Sequence, residues 1–144
     1  MKTFGDRSRD ESQHPRAESS PGLRISLLGP LSVHRGDVAL PLPTSRKVRA
    51  LIAYLALSQR AFTRAHLCEL LGDLPADPRG ELRWCLSKAR AVLDGPGHSR
   101  IETAKDTVAL DLADSFVDAI EVLQAMQPGI AQLGVERLRA VCAL

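Results

Sequence analysis

The sequence predicts an α+β fold for the middle of the chain, and three observations predict it. Apolar residues alternate with polar ones over residues 23–42. They recur at helical spacing in three blocks between residues 46 and 93, and the alternation returns over residues 101–112. With 144 residues, 44% hydrophobic and 25% charged, the composition is that of a soluble globular protein with room for one domain and an appendage.

Residues 1–22, rich in Ser, Arg, Asp, Glu and Pro with little apolar content, cannot offset the entropy of ordering and are expected as a disordered arm. Leu23, Ile25 and Leu27 then alternate with Arg24 and Ser26, and Leu31 and Val33 with Ser32 and His34. Gly29-Pro30 breaks the first pair, Arg35-Gly36-Asp37 makes a tight turn, and residues 38–42 form a third short strand. The expectation is an N-terminal antiparallel meander.

Thr44 or Ser45 caps a helix over residues 46–57, with Val48, Leu51, Ile52 and Leu55 inward. Its first turn, with Arg46, Lys47 and Arg49, has the wrong sign for the helix dipole and suggests an external anion such as a phosphate. Thr63 caps a second helix over residues 64–71, with Leu67, Leu70 and Leu71 inward, and Gly72 closes it. A loop ending in Asp77-Pro78 leads into a third helix over residues 79–93, whose apolar arc is Leu82, Cys85, Leu86, Ala89, Val92 and Leu93.

The opposite arc of that helix is the organising feature. Arg79, Arg83 and Arg90 line one flank, Lys88 lies on the other, and Ser87 and Trp84, the only tryptophan, sit between them. Residues 79–93 would be roughly 20 Å long, enough to lie in a DNA major groove with guanidinium donors at base edges and phosphates. Thr63 and Arg64, at a helix start, suit a phosphate clamp. The hairpin over residues 101–112, with its tip at Lys105-Asp106, stands directly behind the third helix as a wing. The second and third helices, the third basic, followed by a wing, make with the first a winged helix-turn-helix of three helices. Formal charge agrees: +1 over residues 1–43, +5 over 44–105 and −4 over 106–144.

Residues 114–144 are expected as a helical extension in two pieces. The first, residues 115–127, turns Phe116, Ile120 and Leu123 inward, and the second follows Pro128-Gly129. Asp114 and Asp118 serve as cap and dipole partner. The apolar finish of the second piece suggests dimerisation or a longer native chain.

The run LRISLLGPLSVHRGDVALPLPTSRKVRALIAYLAL, followed by FTRAHLCELL, ELRWCLSKARAVL and a hairpin entering ADSFVDAIEVLQA, resembles the N-terminal region of SARP-type bacterial transcriptional activators. Those proteins pair an OmpR-like winged helix-turn-helix with a helical bacterial transcriptional activation domain. The resemblance covers residues 23–126. It implies a DNA-binding domain over residues 23–113 and the start of an activation or dimerisation domain over 114–144. It also implies a third helix reading the major groove through Arg79, Arg83, Trp84, Ser87, Lys88 and Arg90, and a wing at the minor groove through Lys105. Partners would be double-stranded DNA, RNA polymerase and a second copy of the chain.

Other chemistry is not apparent. His14, His34, His66 and His98 are scattered, and no HExxH, P-loop, GxGxxG or GxSxG motif occurs. Cys68, Cys85 and Cys142 lack CxxC spacing and are expected as buried thiols, so neither metal nor cofactor is expected, nor an enzyme. With no apolar run of about 20 residues and no signal-peptide h-region, a cytoplasmic protein without a membrane segment is expected. The competing reading is a winged-helix protein-interaction module in which the basic face and Trp84 dock an acidic partner, since Trp and Arg also dominate protein interfaces.

Overall fold

The structure, a computed structural model, describes residues 22–72 and 77–144. The expected N-terminal arm, apart from Gly22, and part of the loop between the second and third helices lie outside the described residues. The architecture is α+β: two small sheets and five α-helices among the described residues.

The first sheet begins with the expected meander: β1 (Leu23–Ser26), β2 (Ser32–Arg35) and β3 (Val38–Ala39). Strands β1 and β2 pair antiparallel with Ile25 opposite Val33, which puts Leu23, Ile25 and Val33 on one buried face. The β2–β3 turn has two residues, and Gly36 takes φ 58°, the conformation a tight hairpin favours in its first turn position. The third strand is shorter than the sequence suggests. It ends before Pro41, which has no N–H to offer a ladder.

Three helices share one hydrophobic core with this face. Helix α1 (Arg46–Ser58) is capped by Ser45 and buries Val48, Leu51, Ile52, Leu55 and Ala56. Helix α2 (Arg64–Leu71) is capped by Thr63, whose Oγ1 accepts the His66 N–H at 3.2 Å. Helix α3 (Pro78–Leu93) starts from Asp77 with Pro78 in its first turn, where the missing N–H costs nothing. All six residues of its expected apolar arc are buried.

A second sheet lies beside them: β4 (Phe62–Thr63), β5 (Ile101–Thr103) and β6 (Thr107–Leu110), in the order β4-β6-β5. The hairpin over residues 101–112 is present with Lys105 in its turn. Strand β4 pairs Phe62 with Val108 and joins the hairpin to the start of α2.

The extension differs most from expectation. Residues 116–117 are not helical but form β7 (Phe116–Val117), parallel to β1 with Ile25 opposite Val117. The helix begins two residues later, as α4 (Asp118–Met126). Asp118 sits in its first turn, yet its carboxylate reaches out of the helix to accept the Leu27 N–H at 2.7 Å and the Leu28 N–H at 3.2 Å. Asp114 is not a cap but an ion-pair partner of Arg100.

Leu123, expected inward, is 59% exposed, while Phe116 lies under the Arg24 guanidinium at 4.5 Å. Leu70 is likewise exposed, because the short α2 buries only the Leu67 and Leu71 stripe. After a 3-10 turn at Ile130–Gln132, helix α5 (Val135–Cys142) carries no buried residue. Of the cysteines only Cys85 is buried; Cys68 is half-buried and Cys142 exposed.

Candidate nucleic-acid interface

The first turns of α2 and α3 and the β5–β6 turn converge on one groove of about 650 Å³, lined by Arg64, Arg79, Arg83 and Lys105 together with Asp77 and Asp106. These cations come from three elements far apart in sequence. What aligns them is backbone bonding: the Arg64 N–H donates to the Asp106 carbonyl at 2.8 Å, while β4 pairs with β6 at Phe62 and Thr63. The hairpin tip is thereby fixed to the start of α2.

The exposed face of α3 has two unlike flanks. Advancing 100° per residue, the outward ridge is Ser87 and Ala91, both small, so a partner can approach the helix axis closely there, while Gly80 at its start is half-buried beside the Asp77 carboxylate. On one side stand Arg79 and Arg83. On the other stands Trp84, 49% exposed, with the Lys88 ammonium 5.9 Å from its ring centre. Trp84 and Lys88 border a second groove, of about 450 Å³, with Pro41, Leu42 and Pro43.

Not every expected residue faces outward. Arg90 is half-buried and turns to the hairpin, where its Nη2 donates to the Ile101 carbonyl at 3.4 Å and Thr103 Oγ1 at 3.3 Å. Arg46 is exposed but stands apart, beside Ala50, Leu70 and Gly72 in a shallow groove. In the cationic first turn of α1, Lys47 meets an internal anion, Glu81 of α3, at 2.6 Å. Thr63 is exposed, and its hydroxyl serves the α2 cap. His66 Nε2 lies 2.8 Å from the Tyr54 hydroxyl, and its ring stacks on Phe62.

Several residues outside the sequence-level set hold the site in place. Asp77 Oδ1 accepts the Gly80 N–H at 2.8 Å, and Oδ2 lies 3.8 Å from Arg83 Nη2. Its signal in the sequence was the Asp-Pro pair at a helix start. At the far end of α3, Arg35 Nη2 donates to the Leu93 and Asp94 carbonyls at 3.1 and 2.9 Å, satisfying helix-end acceptors. Asp94 Oδ1 accepts the Arg100 N–H at 2.8 Å.

Arg100, 2% exposed, grips Asp114 through both terminal nitrogens, at 2.5 and 2.9 Å, and also donates to Ser115 Oγ. The bonded guanidinium holds the Asp114 carboxyl at about 2, below the usual carboxylate range. The Ala113 N–H and His98, 3.0 Å away, lower Asp111 in the same direction. Burial, reinforced by Glu81, pushes the Cys85 thiol up, which keeps it protonated and unreactive.

Among the described residues, no group of three or more His, Cys, Asp or Glu is placed to hold a metal ion, and no helix is long and apolar enough to cross a membrane. No protein-family model matches the chain, and no curated protein matches it.

Proposed function

We propose that the chain is a sequence-specific double-stranded DNA-binding module of a bacterial transcription regulator, a winged helix-turn-helix over residues 23–113 followed by an extension over 114–144. The observation that carries this reading is the gathering of Arg64, Arg79, Arg83 and Lys105 into one groove at the open end of α3. In it, α3 enters the major groove along its small-residue ridge, Arg83 meets base edges, and Arg64 and Lys105, side by side, hold phosphates next to it. The resemblance to SARP-type activators supports the same assignment, with RNA polymerase and a second copy as further partners.

The reading is tested by titrating a mixed-sequence duplex at several salt concentrations and following the Trp84 fluorescence. With Arg64, Lys105 and Arg79 on phosphates and Arg83 on bases, the logarithmic salt slope is about −2 to −3. Arg64→Ala should weaken binding to all sequences and reduce that slope by about 1. Arg83→Ala should instead erase preference among sequences. Equal effects of the two variants on preference would overturn the division of roles.

One observation favours a second reading. Trp84 is half-exposed beside the proline-lined groove, an arrangement that also suits a protein-interaction module without DNA binding. A shallow salt slope with a protein ligand and no duplex binding at low salt would select it.

A further inference from the structure

We infer that Asp77 is a positioning residue for Arg83: its carboxylate sets the direction of that guanidinium and raises the cost of unselective phosphate binding in the groove. The inference rests on the DNA-binding reading above.

One carboxylate meets two groups here. Oδ1 is fixed by the Gly80 N–H at 2.8 Å, so the side chain cannot swing freely, and Oδ2 then faces Arg83 Nη2 at 3.8 Å. With any residue but glycine at position 80 the Asp77 carboxylate would have to turn from this orientation. A Cβ there would stand 2.2 Å from Asp77 Oδ2 and 2.8 Å from its Cγ. Side-chain exposures are 72% for Arg83 and 67% for Asp77, and ion pairs that open to water contribute little to stability. Stability is therefore not what the pairing provides.

Its effect lies in the groove. Arg83 is a long, rotatable side chain that would otherwise sample many directions, and Asp77 restricts it to those near the start of α3. The negative charge of Asp77, beside that of Asp106, lies among Arg64, Arg79, Arg83 and Lys105 and repels phosphates of any sequence, so only a duplex that also gains the base contact of Arg83 offsets the cost. Removing one unit charge at about 6 Å in water changes affinity roughly threefold.

The test compares the duplex that wild type selects from a random pool with a scrambled one, at one salt concentration. Asp77→Asn and Asp77→Ser both keep a good N-cap and remove the charge, and melting curves confirm that they fold. Binding to the scrambled duplex should tighten about threefold, while the selected-to-scrambled ratio falls about two- to fivefold, within what one solvent-exposed ion pair provides. Repeated in an Arg83→Ala background, Asp77→Asn should still tighten scrambled binding but leave the ratio unchanged. Wild-type preference that Asp77→Asn does not reduce overturns the inference alone. A wild type that binds no duplex overturns the DNA-binding reading and this inference with it.

Discussion

The Arg100–Asp114 pair makes an asymmetric prediction about stability. Arg100 is 2% exposed, while the Asp114 side chain is 43% exposed, so the two deletions leave different remainders. Asp114→Ala leaves a buried guanidinium without its counter-charge, and the Arg100 Nε already lacks a partner among the described residues. Breaking a fully buried pair costs about 3–5 kcal/mol. Water reaching the open side where Asp114 stood lowers this to about 2 kcal/mol. Arg100→Met leaves only a carboxylate that water can solvate, and the methionine fills much of the space of the arginine stem, so the cost is about 1 kcal/mol or less. The double variant should be close to Arg100→Met alone.

Urea unfolding followed by far-UV circular dichroism reads these differences directly. The same pair sets an acid limb. Because the Asp114 carboxyl is depressed to about 2 in the folded chain, its stabilisation is complete above the ordinary carboxylate range and is lost as pH falls from about 4 to 2. Unscreened, that shift corresponds to at most about 2.5 kcal/mol, and solvent on the exposed carboxylate reduces it to about 1 kcal/mol. Arg100→Met should flatten stability across that window. A larger loss in Arg100→Met than in Asp114→Ala, or an unchanged acid limb in Arg100→Met, would refute the reasoning.

Two further outcomes follow from the geometry. Arg90→Ala removes the bonds from α3 to Ile101 and Thr103 and should cost about 1 kcal/mol of stability; amide hydrogen exchange should rise in β5 before it rises in α1. Asp118→Asn retains the shape but weakens a buried, charged acceptor of the Leu27, Leu28 and Ala119 amides, at about 1.5–3 kcal/mol; thermal melting checks this, and an unchanged midpoint would mean that the extension is not anchored there.

The central elements were legible because their signals are local. The six buried positions of α3 repeat at helical spacing, Thr63 and Asp77 are good caps, and the hairpin alternates around Lys105. What was not legible depends on partners distant in sequence. Strands β4 and β7 have two residues each, too short for any period, and exist because β6 and β1 offer open edges. Arg100 follows a Gly-Pro-Gly break and looks like a solvated loop residue; only the fold brings Asp114 to it. Leu70 and Leu123 carried the right character at the right spacing, but among the described residues no element buries them. At the site, the listing of cations along α3 was readable. That Arg90 turns to the hairpin, while Arg64 and Lys105 join Arg79 and Arg83 across a groove, depends on tertiary packing.

The parallel pairing of β1 with β7 sets an order of events during synthesis. A ribosome adding about 5–20 residues per second takes about 5 to 20 s to travel from Leu23 to Val117. Throughout that interval the β1 edge that Phe116 and Val117 will occupy has no native partner, and the Leu27 and Leu28 amides wait for Asp118. The N-terminal meander can form early, but its sheet closes only after α3 and the hairpin have emerged. A nascent chain stalled before residue 116 therefore presents a bare strand edge to its neighbours on the same messenger RNA, and chaperone dependence should concentrate there.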